Sequence, residues 1–317
     1  MSLELYINAQ QNEVIVALTN DKKLTELHRE KSNNSFSVGD IFLGKVKRVV
    51  PGLNAAFVNV GYDKDAFLHY LDLGPQFASL SKFTKRALNN KQISDKLEHF
   101  DNEHDIKKDG KINQVVSANQ NILIQIAKEP ISAKGPRLSS EITLAGRYVV
   151  LVPFSNKISV SQKLKNDEEK KRLKSIIENI RPKNFGVIIR TVAENKSVSD
   201  LEQDLKELLK KWKDCVEVLK HSEPPKKVLG ELDRTSVLLR DILNERFNHI
   251  YVNNQKLYDE IRVYIRNIAP DSEKIVKLYT GSLDLFEHFG INKQIKAMFG
   301  RQVALSGGGY LIIEHTE

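Results

Sequence analysis

The sequence predicts a mixed α+β protein built from several subdomains. From residue 38 onward, short strand-like runs are separated by glycine and proline turns, a pattern typical of a small β-barrel. Between residues 237 and 279, helical and strand-like patterns alternate, which indicates an α/β layer. A chain of 317 residues has room for two or three domains.

Composition narrows the class of protein. The 49 Lys and Arg residues outnumber the 41 Asp and Glu residues. This basic excess suits a polyanion such as nucleic acid, although a soluble protein can be basic without such a partner. The one cysteine, Cys215, excludes a disulfide framework and a zinc site of cysteine pairs within the chain. No run approaches the roughly 20 apolar residues of a membrane span, and residues 1–10 do not form a secretory signal. We therefore expect a cytoplasmic protein.

The first elements are predicted to be strands. Apolar residues alternate over residues 3–7 and 14–18 around a turn-prone segment, which indicates a β-hairpin. Residues 25–30 continue as a third strand, and residues 31–37 form a loop rich in Asn and Ser.

The barrel is expected to follow, with strands at residues 41–50, 55–60, 66–68 and 121–126. The stretch 79–111 interrupts it with eight Lys and Arg, six Asp and Glu, and few large apolar residues. We expect a mobile insertion there, because the stretch has too little apolar surface to order itself.

The remaining elements mix helices and strands. The clearest helix begins near Ser197 or Ser199, either of which can cap it, and Leu201, Leu205, Leu208, Trp212, Val216 and Leu219 share its apolar face. Other helices are expected at residues 167–179, 237–246, 255–267 and 290–299, and other strands at 147–153, 185–191, 249–252, 274–279, 302–305 and 310–314. Because the last strand is apolar, we expect it to be buried in a domain that continues past Glu317.

Two aromatic residues are candidates for nucleic-acid binding. Phe57 and Phe67 lie on successive barrel strands, and exposed rings on such a barrel provide faces for base stacking. Nearby Lys45, Lys47 and Lys134 would hold phosphates. The alternative is that both phenylalanines belong to the barrel core, and the residue pattern leaves both interpretations open.

Five segments, in order, resemble a known family. They are GKVKRVVPGLNAAFVNVG at residues 44–61, LAGRYVVLVP at 144–153, GVIIRT at 186–191, KLYTG at 277–281 and SGGGYLIIE at 306–314. Together they resemble the bacterial ribonuclease E/G family over nearly the whole chain apart from the stretch 79–111.

The resemblance implies a particular set of subdomains. A ribonuclease-H-like α/β subdomain would combine residues 1–37 and 233–298. An S1-type RNA-binding barrel of the OB fold would occupy residues 38–140, including the insertion 79–111, and a 5′-sensor subdomain would occupy 141–232. Residues 299–317 would be the first strands of a DNase-I-like catalytic subdomain.

The resemblance also implies roles for individual residues. Phe57, Phe67 and Lys134 match barrel positions that contact single-stranded RNA. Arg190 and Thr191 match the pair that grips a 5′-monophosphate, and the main chain of Gly146 and Val150 would meet the first nucleotide. A guanidinium that forks onto phosphate oxygens, assisted by a hydroxyl and backbone N–H groups, suits this task. Without the resemblance, Arg190 would be interpreted as the partner of a neighbouring carboxylate.

One position departs from the family pattern. Many members carry Ser-Arg-Arg where this chain has Ser161-Gln162-Lys163. Gln162 would weaken the positive field of the phosphate pocket, while Lys163 could compensate. The resemblance implies that the chain binds single-stranded RNA, preferably RNA with a 5′-monophosphate.

The resemblance further implies RNA cleavage by a magnesium ion held by aspartates. Those aspartates, and a cysteine-pair zinc link that helps to pair subunits, lie beyond Glu317 in the family. In this chain Glu314 and Glu317 would lie on opposite faces of an extended segment and could not share one ion. We therefore expect these 317 residues to bind RNA without cutting it, as a monomer or weak dimer. The competing hypothesis is a non-catalytic RNA-binding or scaffold protein on the same framework.

Two other motifs are interpreted as structural. Residues 99–104 contain His, Asp and Glu, which are metal-ligand types, but they fall inside the predicted mobile insertion. Gly307 to Gly309 lacks the Lys-Ser/Thr of a phosphate loop and sits between two strands, which favours a hairpin turn.

Overall fold

The structure is a computed structural model that describes residues 2–31, 36–89, 93–232, 234–244, 246–305 and 307–314. The chain forms two compact units. One unit combines residues 1–34 with 232–317, and the other contains residues 35–231. The Asn- and Ser-rich loop falls largely outside the described residues, as do Ser306 and Glu317.

The described elements are numbered in chain order. The strands are β1 Leu3–Ala9, β2 Glu13–Asn20, β3 Lys23–Lys31, β4 Ile41–Val50, β5 Ala55–Asn59, β6 Ala66–His69, β7 Asn121–Lys128, β8 Arg137–Ser139, β9 Leu144–Ala145, β10 Val149–Pro153, β11 Ile158–Val160, β12 Phe185–Ile189, β13 Lys226–Leu229, β14 Phe247–Val252, β15 Val276–Leu278, β16 Gln302–Ala304 and β17 Tyr310–Ile312. The helices are α1 Phe77–Asn89, α2 Asp167–Ile180, α3 Val198–Lys220, α4 Arg234–Ile242, α5 Gln255–Ile268, α6 Leu285–His288 and α7 Ile291–Met298.

The first unit is organised around a five-stranded sheet in the order β15-β14-β1-β2-β3. β1 and β2 form the predicted antiparallel hairpin, and β14 lies parallel to β1 with Ile7 opposite Val252. Leu5, Ile7, Ile250 and Val252 are buried together with Ile261 and Ile265 of α5. One face of the sheet therefore packs against a helical layer, as the alternation of helices and strands predicts.

The second unit contains a closed β-barrel. β4 pairs with β5 and with β7, and the circuit closes through β6 and β8. This five-stranded barrel fits an OB-like fold. The first half of β4 also pairs with β13, which returns from the far end of the unit. The predicted mixed α+β class and the barrel are thus confirmed.

A smaller sheet, in the order β11-β12-β10-β9, follows the barrel. Its buried side, including Leu151 and Val187, packs with α2 and α3 in one core that also contains Ile41 and Leu123 of the barrel. Helix α3 begins at a capping box in which Ser197 and Asp200 bond each other's backbone N–H. The barrel and the smaller sheet therefore share one hydrophobic core.

The expectation that residues 79–111 are mobile is wrong for the described part of that stretch. α1 covers most of its first half and buries Leu80, Phe83 and Ala87. Leu97 is also buried, and the indole N–H of Trp212 donates to the Asp95 carbonyl over 3.0 Å. The stretch orders because it completes a core with α3, although its own apolar content is low.

The last strand is paired and exposed in the described part of the chain, and its burial in a longer domain stays a prediction. β17 pairs with β16 in a two-stranded sheet, and Tyr310, Leu311, Ile312 and Ile313 are all more than half exposed. A two-stranded sheet cannot cover its own faces, so its apolar side chains stay exposed unless another element packs on them. The antiparallel pairing does confirm a hairpin around the glycine run at residues 307–309.

Candidate nucleic-acid interface

A row of side chains crosses the outer surface of the barrel. Arg48 on β4 lies opposite Phe57 on β5, Phe57 lies opposite Phe67 on β6, and Phe67 pairs with Arg137 on β8. Alternate residues of a strand point to opposite faces. Because Ala56, Val58, Ala66 and Leu68 are the residues that fill the barrel core, the two phenylalanines face outward.

The two phenylalanine rings form a partly exposed aromatic surface. Both are half-buried, and their centroids lie 5.7 Å apart at an interplanar angle of 71°. The Arg48 guanidinium carbon lies 4.4 Å from the centroid of Phe57, and the His69 ring lies 6.4 Å from that of Phe67. An edge-to-face pair flanked by a cation is a stable arrangement of rings. The exposed part of each ring is available for a further aromatic group, such as a nucleobase.

Positive charge surrounds the rings. A groove of about 790 Å³ is lined by the two rings and by Arg48, Lys64, Lys128, Lys134 and Arg137, together with Asp65. Lys134 is exposed and lies in a turn, where its backbone N–H donates to the Ile131 carbonyl over 3.0 Å. Arg137 is held by Asp72 through two bonds of 2.9 Å. The structure therefore brings Phe57, Phe67 and Lys134 to one groove, whereas Lys45 and Lys47 do not line it.

Sequence reasoning missed Arg48 and His69. Each lies on the same surface as a predicted residue, and strand alternation places His69 two residues beyond Phe67 on β6. Arg48 is less easily found, because the register of β4 against β5 shifts between Val46 and Arg48. That shift moves Arg48, rather than Lys47, opposite Phe57.

The second group of predicted residues meets at the end of β12. Arg190 follows that strand and donates from Nη1 to the Gly146 carbonyl over 2.8 Å, while its backbone N–H donates to the Tyr148 carbonyl over 2.8 Å. Thr191 is exposed, and its hydroxyl lies 3.1 Å from that of Ser161. Val150 of β10 pairs with Ile188 of β12. Arg190, Thr191, Gly146 and Val150 thus lie on neighbouring segments around the end of β12.

Further cations lie close to this site. The guanidinium of Arg147 and the ammonium of Lys196 lie 5.5 and 5.9 Å from the centroid of the Tyr148 ring. Gln162 and Lys163 are both exposed in the turn that Ser161 begins. The position where many family members carry arginine is therefore next to the hydroxyl that contacts Thr191.

A buried carboxylate supports the turn at Gly146. Asp204 accepts backbone N–H bonds from Arg147, Tyr148 and Val149 at 2.9, 2.8 and 2.9 Å. Burial raises its pKa, and the three N–H donors act in the opposite direction. The sequence contains a signal for this residue, since an aspartate interrupts the apolar face of α3 between Leu201 and Leu205.

The described residues contain neither a reactive cysteine nor a metal site nor a membrane-spanning helix. Burial raises the pKa of the Cys215 thiol to about 12, so this cysteine is not a reactive thiolate at neutral pH. Within the described ranges, no three His, Cys, Asp or Glu side chains are grouped so that they could hold a metal ion. None of the described helices is both long and apolar enough to cross a membrane.

The fold and the two sites define a class of protein: an α+β protein whose OB-like barrel presents an aromatic and cationic groove. Such a groove has the chemistry that single-stranded nucleic acid requires, since rings stack on bases and cations bind phosphates.

Comparison with known proteins then identifies the family. The family model described as Ribonuclease E/G family matches residues 143–317. Ribonuclease G of Haemophilus influenzae is 32% identical over 317 residues, covering 100% of this chain and 60% of the relative. Ribonuclease G of Escherichia coli K12 is 31% identical over 317 residues, covering 61% of its length, and ribonuclease E of a Nostoc species is 30% identical over 315 residues, or 42% of its length. The chain belongs to the ribonuclease E/G family, and it spans about 60% of the length of these ribonuclease G relatives.

Proposed function

We propose that these residues are the RNA-binding and 5′-monophosphate-sensing region of a single-strand-specific endoribonuclease of RNA processing and decay. The observation that carries the proposal is the row of Arg48, Phe57, Phe67 and Arg137 across the barrel groove. Family membership supports RNA as the polymer, because the relatives are ribonucleases.

The site at the end of β12 supports the second half of the proposal. Arg190 offers a planar guanidinium, Thr191 a hydroxyl, and Lys196 and Arg147 add positive charge within a few residues of the site. A terminal phosphate carries more negative charge than an internal one and accepts such donors well. We assign the first nucleotide of the RNA to this site and the following single strand to the barrel groove.

Catalysis is assigned to residues outside this sequence. The magnesium that the family resemblance implies finds no fitting ligand set among the described residues, so we derive no cleavage step from them. The proposal for these 317 residues is substrate binding and recognition of the RNA end.

The groove is tested by replacing both rings. The double variant Phe57→Ala/Phe67→Ala should weaken binding of single-stranded RNA by at least about 2 kcal/mol, because two stacking faces are lost. The fold should be retained, since both rings lie outside the barrel core. Binding is measured by fluorescence anisotropy with labelled RNA over a series of salt concentrations, and affinity should fall steeply with salt.

A matched control removes exposed apolar side chains elsewhere on the same part of the chain. Leu53 and Leu71 are 56% and 71% exposed and do not line the groove. Leu53→Ala/Leu71→Ala should therefore bind RNA like the parent protein. Unchanged affinity in a folded Phe57→Ala/Phe67→Ala protein would assign both rings to packing and contradict the proposal.

The sensor is tested by replacing Arg190. Arg190→Ala should reduce the preference for RNA with a 5′-monophosphate over the same RNA with a 5′-hydroxyl, because the charge-assisted fork is lost. Gln162 leads us to expect a modest preference in the parent protein. The control is Arg86→Ala, which removes an exposed arginine of α1 and should leave the preference unchanged. Equal binding of the two RNA ends by the parent protein would show that this site is not a sensor.

A further inference from the structure

The environment of Asp204 is unusual for a charged residue. The residue is 9% exposed and lies on the apolar face of α3. No ion pair joins it to a lysine or arginine of the described residues, and its hydrogen bonds come from three consecutive backbone N–H groups at residues 147–149. A buried carboxylate is costly unless donors compensate it. This side chain therefore serves to hold that turn of backbone.

The turn that Asp204 holds is attached to Arg190 at two points. The Gly146 carbonyl accepts from Arg190 Nη1, and the Tyr148 carbonyl accepts from the Arg190 backbone N–H, both over 2.8 Å. Gly146 itself donates to the Val149 carbonyl over 2.8 Å, which closes the turn. The side-chain bond therefore fixes one end of the planar guanidinium, and the backbone bond fixes the point from which the side chain starts.

The close approach of Asp204 also explains the glycine. A Cβ atom at position 146 would lie 2.6 Å from both carboxylate oxygens. The turn and the carboxylate are therefore in direct contact, with no room for a side chain between them.

We propose that Asp204 is a positioning residue for recognition of the RNA 5′-monophosphate. It fixes the backbone of residues 147–149, and through the Gly146 carbonyl it positions one end of the Arg190 guanidinium. This inference rests on the proposed function of Arg190, and it goes further by assigning the geometry of the phosphate site to a residue that does not contact the phosphate.

The test compares Asp204→Asn with Arg190→Ala and the parent protein. Asparagine keeps the shape of the side chain but replaces one acceptor oxygen by an NH₂ donor, so at least one of the three N–H groups loses its acceptor. Dissociation constants are measured for one RNA sequence carrying a 5′-monophosphate or a 5′-hydroxyl, and folding is checked by thermal melting. The matched control is Glu207→Gln, which removes a negative charge one turn further along α3 at an exposed position.

The expected result is a selective loss of end preference. Asp204→Asn should lower the ratio of the two dissociation constants toward that of Arg190→Ala, by up to about tenfold where the parent preference is that large. Affinity for 5′-hydroxyl RNA should fall much less than affinity for 5′-monophosphate RNA, because the barrel groove is not altered and no contact to a terminal phosphate is lost. Glu207→Gln should keep the parent ratio.

Two outcomes separate the inference from the proposed function. If Arg190→Ala lowers the ratio and a folded Asp204→Asn does not, only the inference is overturned. If Arg190→Ala leaves the ratio unchanged, the proposed sensor fails and the role of Asp204 fails with it. Should Asp204→Asn not fold, the same ratio is measured for Asp204→Glu, which keeps the charge but lengthens the side chain. If neither variant folds, Asp204 is a stability residue and the proposal is overturned.

Discussion

At the scale of single residues, the two-residue period of a strand separates packing from binding. Phe57 and Phe67 are outward neighbours of Ala56, Val58, Ala66 and Leu68, which fill the barrel. On β5 and β6, small and aliphatic residues lie inside and aromatic residues outside, which reverses the usual preference because large rings are commonly buried. An outward aromatic pair with arginine on either side is therefore better explained by a ligand than by the core.

An ion-pair cluster around Glu273, in the unit of residues 1–34 and 232–317, predicts that stability depends on pH. The guanidiniums of Arg266 and Arg262 hold the pKa of Glu273 at about 2, and their Nη2 atoms lie 2.6 and 2.5 Å from its carboxylate. The folded pKa is below the unfolded value of about 4.3, so the stabilisation is present above that value and is lost as the pH falls toward about 2.

Glu273→Gln should accordingly lower the melting temperature slightly near pH 7. The effect should be small, because both arginines are partly exposed to solvent. The difference in melting temperature between variant and parent should become smaller as the pH falls from 6 to 3, which is measured by thermal melting in a series of buffers. A gap that stays constant over that range would show that the carboxylate contributes through its shape and not through its charge.

At the scale of elements, α1 shows how a charged stretch becomes ordered. Its lysines and arginines led to the expectation of a mobile insertion, yet Phe83 is fully buried against Phe154 and Trp212 at centroid distances of 5.3 and 5.8 Å. The helix is amphipathic, so its charge lies on the solvent side while a narrow apolar face is buried. Overall composition averages over these two faces and conceals the second one.

The buried face of α1 predicts a large loss of stability on truncation. Phe83→Ala should lower the free energy of unfolding by about 3–5 kcal/mol, because it leaves a cavity among aromatic side chains. Urea unfolding followed by tryptophan fluorescence suits the measurement, since Trp212 is the one tryptophan and lies in this cluster. Phe299→Ala, at a residue that is 83% exposed, should change stability by less than about 0.5 kcal/mol. Equally small effects of the two substitutions would contradict the burial of Phe83 and support the prediction that residues 79–111 are mobile.

At the scale of the whole molecule, binding and cleavage are expected to be separate properties. The proposed RNA contacts all lie within the unit of residues 35–231, and a metal-dependent phosphodiesterase needs clustered carboxylates to hold the ion against the phosphate. We predict that the 317-residue chain binds 5′-labelled single-stranded RNA and leaves it intact with or without magnesium.

The measurement is a gel-based cleavage assay, with a ribonuclease G relative as the active control. Cleavage that depends on magnesium and survives repurification would place catalytic residues within this sequence. It would also contradict the assignment of catalysis to residues outside it.

Several features could be predicted from the sequence because they depend on local periods. Strand alternation and glycine turns predict the barrel and the first hairpin, and helical spacing predicts α3 with its Ser197 cap. Ordered motifs identify the family and its candidate residues without any structure. Whether Phe57 faced the core or the solvent stayed open, since alternation gives two faces and does not say which of them is inside.

The tertiary structure decided the features that join residues far apart in the chain. β1 pairs with β14 across more than 200 residues, α1 is ordered by α3, and Asp204 holds a turn at residues 147–149. Each is a contact between segments whose local patterns are independent of one another. By itself, then, the sequence determined the elements with a clear local period, such as the barrel strands and α3, and which residue types are available for RNA. Only the packed structure decided which of those residues meet, because burial and hydrogen bonding across the chain have no local signature.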